Sequence, residues 1–167
     1  MTARGRTGRT RRARAPRNES DDDVVDYFST LIAVSDDCPV ERSVVPAPHN
    51  GRKTVAVLQH ELLAGRPYEL TQEDVLFRSW LMRQPGCEDR TDDEVAALRD
   101  TFFAKSQACL RASPLPKKYG FGLLFDAEGR VALCPMESED YRAGLHREDV
   151  KVLKAMRSSR GRPGASR

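Results

Sequence analysis

Apolar positions along the chain recur with two periods, and these divide it into elements. From Val24 to Val34 the alternation is that of a strand. Phe28, Thr30, Ile32 and Val34 share one face, and Tyr27, Leu31 and Ala33 the other. Its β-branched residues suit a mostly buried strand. Ser35-Asp36-Asp37-Cys38-Pro39 ends it, and a loop rich in breakers runs through Pro46, Pro48 and Asn50-Gly51. The period then lengthens. Val55, Leu58 and Leu62 predict a helix over 54–64, stopped by Gly65 and Pro67. Thr71 caps a second helix, with acids in its first turn and Val75, Leu76, Phe77, Trp80 and Leu81 as a broad apolar face. Trp80, the only tryptophan, reads as core rather than as a stacking platform. Thr91 and Glu94 form a capping box for a third helix, carrying Val95, Leu98 and Phe102.

The period shortens again after Lys118. Phe121, Leu123 and Phe125 alternate with Gly120, Gly122 and Leu124, as in a strand with one buried face. Asp126-Ala127-Glu128-Gly129 is a turn, and Val131 to Cys134 form the return strand of a hairpin. Ser138 caps a short helix through Tyr141 and Leu145, and Val150 and Val152 around Lys151 predict a last strand. Strands and helices do not alternate one to one. The expected fold is α+β, an antiparallel or mixed sheet of about four strands with three to four helices mainly on one face.

Charge separates the ends of the chain from its body. Of the 28 basic residues, ten lie in residues 1–17 and 158–167, which hold no acid; the remaining 18 face 25 acids. The body is therefore acidic by about seven charges. Residues 1–22 read as a disordered arginine-rich arm, 23–158 as one domain, and 159–167 as a disordered basic tail. Such tails would touch nucleic acid or acidic partners only through non-specific charge. No run of residues is long and apolar enough for a membrane span, and no apolar export segment follows the N-terminal arginines. The expected location is cytoplasmic. Cys38, Cys87, Cys109 and Cys134 form no Cys-x-x-Cys pair, and His49, His60 and His146 are scattered, so neither a metal site nor a cofactor is implied.

The chain carries no Gly-x-Ser-x-Gly, no His-Glu-x-x-His and no phosphate-binding glycine loop before a helix. What stands out is the cationic approach to the hairpin. Arg111, Ser113, Lys118, Tyr119, Gly120 and Gly122 put positive charge, a phenol and bare backbone beside one strand. That set suits a small anionic ligand, because Arg grips a carboxylate or phosphate with two parallel hydrogen bonds. Lys117, Tyr68, Arg157 and Lys53 are further candidates, and Glu61 or Asp74 would be the general base of an enzyme. Two bland alternatives stay open. The glycines can exist for packing, and the domain can be a non-catalytic interaction module.

Several blocks also carry a family resemblance. They are Tyr27-Phe28-x-Thr30-Leu31-Ile32-x-Val34 with Asp37-Cys38-Pro39, Lys53-Thr54-Val55-Ala56-x-Leu58-Gln59-x-Glu61-Leu62, and Pro67-Tyr68 with Thr71-x-x-Asp74-Val75-Leu76-Phe77. The others are Phe102-Phe103-x-Lys105-x-Gln107-x-Cys109-Leu110-Arg111-Ala112-Ser113-Pro114-Leu115, Lys118-Tyr119-Gly120-Phe121-Gly122 and Ala155-Met156-Arg157-Ser158. Over about residues 26–160 the chain resembles a family of small bacterial and fungal proteins catalogued as domain of unknown function 6157. Phe121 stands where that family would carry Trp. The resemblance implies no activity, cofactor or catalytic residue.

Overall fold

The computed structural model describes residues 26–158. The expected arm and tail, and the first two residues of the expected opening strand, lie outside them. A five-stranded mixed sheet forms the middle layer, in the order β2-β4-β3-β1-β5. β1 is Thr30–Ala33, β2 is Leu70–Thr71, β3 is Phe121–Phe125, β4 is Arg130–Pro135 and β5 is Lys151–Lys154. All neighbours are antiparallel except β1 and β5, which run parallel with Leu31 opposite Val152. The fold class is α+β, as the element order implies.

The count of elements is higher than expected, at five strands and five helices among the described residues. The helices are α1 (Val55–Leu63), α2 (Gln72–Leu81), α3 (Asp92–Phe103), α4 (Pro114–Lys118) and α5 (Glu139–His146). Two elements escape a pattern reading for physical reasons. β2 is only two residues long and shares Thr71 with the cap of α2, so no alternation can develop. α4 is one turn, started by Ser113 as N-cap with Pro114 at its first position, where a proline loses no hydrogen bond. The cationic approach to the hairpin is thus partly helical.

Both faces of the sheet are covered. On one, Leu62 and Leu63 of α1, Val75 of α2 and Leu115 of α4 pack on Ile32, Phe121, Leu123, Phe125 and Val131. On the other, Tyr141 of α5 and Val150 pack on Leu31, Ala33, Leu124 and Cys134. β3 therefore has two buried faces, not one, and all five of its residues are buried. The caps at Thr71, Thr91 and Ser138 are as the sequence spells them. Thr54, Thr71, Thr91 and Ser138 each accept a backbone N–H of their helix, with reciprocal capping boxes at Thr71–Asp74 and Thr91–Glu94. No helix among the described residues is long and apolar enough to cross a membrane.

Candidate functional site

The glycines of the hairpin approach are explained by packing. A Cβ on Gly122 would stand 2.7 Å from the Tyr141 ring and 3.2 Å from the Ile32 carbonyl oxygen. Gly120 has a φ of +74°, and a Cβ there would meet the Met136 sulfur at 2.9 Å and the Arg42 backbone at 3.2 Å. The Tyr141 hydroxyl beneath accepts the Val34 N–H at 3.0 Å. Burial pushes its proton affinity up, and the Val34 bond works against that rise.

The remaining residues expected at the site separate. Arg111 turns toward the sheet, where its Nε donates to the Lys154 carbonyl at 3.0 Å and its own carbonyl accepts the Met156 N–H at 2.9 Å. Lys118 is exposed at the last turn of α4. Tyr119 packs against the core beside that turn, and its carbonyl accepts the Val44 N–H. Ser113 is buried. Of the further candidates, Lys53 pairs with Glu61 at 2.9 Å on the surface, and Arg157 lies 3.7 Å from Asp36. Tyr68 sits at the sheet edge with a φ of +59°, its N–H donated to the Val131 carbonyl.

Asp74 is held in its capping box and by Arg99 at 3.0 Å. Burial would raise its carboxyl, but the Thr71 N–H, the Arg99 guanidinium and the Thr71 side chain hold it below the ordinary carboxylate value. Both expected general bases are thus engaged in structural bonds.

Ser113 leads to a cavity that the pattern of charges does not mark. The segment 107–114 lies over α1 and α2, and two buried glutamines fasten it. Gln72 of α2 accepts the Leu110 N–H at 2.9 Å, and Gln59 of α1 accepts the Ser113 hydroxyl proton at 2.5 Å. Ser113 in turn accepts the Leu115 N–H at 3.2 Å. Between this segment, α1, α2 and the end of α3 lies a cavity of about 280 Å³. Its walls are apolar and aromatic at Val55, Leu76, Trp80, Phe102, Leu110 and Pro114. Gln59, Ser79 and Ser113, each nine-tenths buried or more, give it polar points. The Trp80 and Phe102 rings lie against each other, their centroids 5.1 Å apart and their planes tilted by 40°.

At the rim the cavity shares Val55 and Arg83 with an open groove lined by His49, Arg52, Lys53 and Glu88. Arg83 has no carboxylate within ion-pair distance among the described residues. Sequence reasoning missed Gln59, Ser79 and Arg83. Gln59 left a signal, since it stands four residues after Val55 on the apolar stripe of α1.

The fold is α+β, with a mixed sheet covered on both faces and a cavity beneath segment 107–114. The chain belongs to a family of unknown function, DUF6157, whose model matches residues 22–161. No curated protein and no solved structure matches it.

Proposed function

We propose that the protein binds a small organic anion in the cavity beside segment 107–114. The ligand's apolar body lies among Val55, Leu76, Trp80 and Phe102, and its negative group meets Arg83. One observation carries this reading. Arg83, without an acidic partner among the described residues, lines both the aromatic-walled cavity and the neighbouring groove of His49, Arg52, Lys53 and Glu88. Such a combination of apolar walls, a few buried polar groups and one uncompensated charge suits an amphipathic anion.

The reading keeps the anionic ligand expected from the sequence and keeps Ser113. It moves the cation from Arg111 and Lys118 to Arg83, because Arg111 is spent on the Lys154 carbonyl. It also favours binding over nucleophilic catalysis. The Ser113 proton goes to an amide oxygen, which is too weak a base to activate a hydroxyl.

Calorimetric titration of the full chain with benzoate tests this. Saturable binding is expected, weakened about tenfold or more in Arg83→Gln, the value of a hydrogen-bonded charge pair. The absence of saturable binding, or equal binding by both proteins, would contradict it.

A further inference from the structure

We infer that Gln59 is the specificity-determining group of this cavity, and that it selects ligands bearing a carbonyl-type acceptor at the end remote from their carboxylate. The inference rests on the anion-binding reading above and deepens it. It starts from the accounting of one buried amide.

Gln59 is 3% exposed. Its Oε1 takes the Ser113 proton at 2.5 Å, a distance that fits O–H···O and is too short for N–H···O, so the amide orientation is determined. Nε2 and its two protons must then point elsewhere. The Ser113 bond is the one hydrogen bond of the Gln59 side chain among the described residues. Yet no side-chain nitrogen or oxygen among those residues is both sealed from solvent and unpaired. The Gln59 amide nitrogen therefore reaches accessible space, and Gln59 lines the cavity.

Two neighbouring polar side chains are engaged with the backbone. Ser79 donates to the Leu76 carbonyl at 3.1 Å, and Gln107 donates to the Phe102 carbonyl at 2.7 Å. Gln59 is left offering a fixed donor from a nearly buried position. Its orientation does not depend on a ligand, because Ser113 is itself locked by the Leu115 N–H at 3.2 Å. A largely apolar cavity with a preorganised donor at its buried end rewards an acceptor there and rejects an isostere that leaves the donor unpaired.

The rest of the ligand follows from the walls. The cavity volume of about 280 Å³ lies at the small end of ligand sites, and Trp80 and Phe102 line it as a contacting aromatic pair. One flat ring fits such a space, with the carboxylate at Arg83 on the rim and a keto, aldehyde or amide oxygen at Gln59. The ligand class is a para-substituted aromatic or similarly flat acid with a carbonyl at its far end.

The test compares 4-acetylbenzoate with 4-isopropylbenzoate, which share shape and carboxylate and differ in the acceptor. Calorimetry on the full chain should show 4-acetylbenzoate binding about tenfold or more tightly. Gln59→Leu should erase that preference, bringing the ratio of the two affinities to about one. The wild-type comparison stands even if a variant fails to fold. Equal binding of the two acids by the wild type would overturn the role of Gln59 and leave the anion site intact. Binding of neither would overturn both.

Discussion

Ser113 uses one hydroxyl twice, donating to Gln59 on α1 and accepting from Leu115 to start α4. Ser113→Ala should therefore lose a cap and orphan a buried amide oxygen together, costing about 1–3 kcal/mol in urea unfolding. A loss of a few tenths would mean that the bond to Gln59 carries little. Gly122 makes the opposite kind of case, since its value lies in what is missing. Gly122→Ala forces a Cβ onto the Tyr141 ring and should cost about 1–3 kcal/mol through overpacking. A neutral result would show that the ring can slide aside. At this scale the sequence was only partly legible. A glycine in a strand announces a close approach, but not whether a ligand or a tyrosine makes it. The cations Arg111 and Lys118 were visible and Arg83 was not singled out, because charge in a sequence carries no record of which partner neutralises it.

Among the elements, α2 and α3 are joined by charge. Arg99 of α3 reaches Asp74 at 3.0 Å and Glu73 at 3.5 Å, and lies over the Phe77 and Phe103 rings at 5.5 Å each. The Asp74 carboxyl is held below its ordinary value, so its stabilising contribution is present above about pH 4 and disappears as pH falls below that. Asp74→Asn should be less stable than wild type at pH 7, and the gap should narrow at pH 3 in urea unfolding. A gap of equal size at both values would show that the pairing is not what the substitution removes. The helix starts here were readable because caps are local: Thr71 with Asp74 and Thr91 with Glu94 need only three-residue spacing. α4 was not readable as a helix, since one turn between two prolines has no period to detect.

Across the whole molecule, the fold class followed from the order of elements, while the arrangement of the sheet did not. The parallel pairing of β1 with β5 closes the domain from its two ends, and no local pattern specifies it. The same long-range closure builds the cavity. Segment 107–114 is fastened on one side by Gln59 and Gln72 and on the other by the bonds of Arg111 to Lys154 and Met156. Residues from α1, α2, the end of α3 and this segment meet only because the sheet brings them together, so the cavity is a property of the tertiary structure. The most direct test is a ¹H–¹⁵N nuclear magnetic resonance titration of the full chain with benzoate. The indole N–H of Trp80, the side-chain amide of Gln59 and the backbone of residues 107–114 should shift together and saturate, while α5 stays still. Shifts confined to Lys117, Lys118 and Tyr119, or no saturable shift at all, would contradict the account.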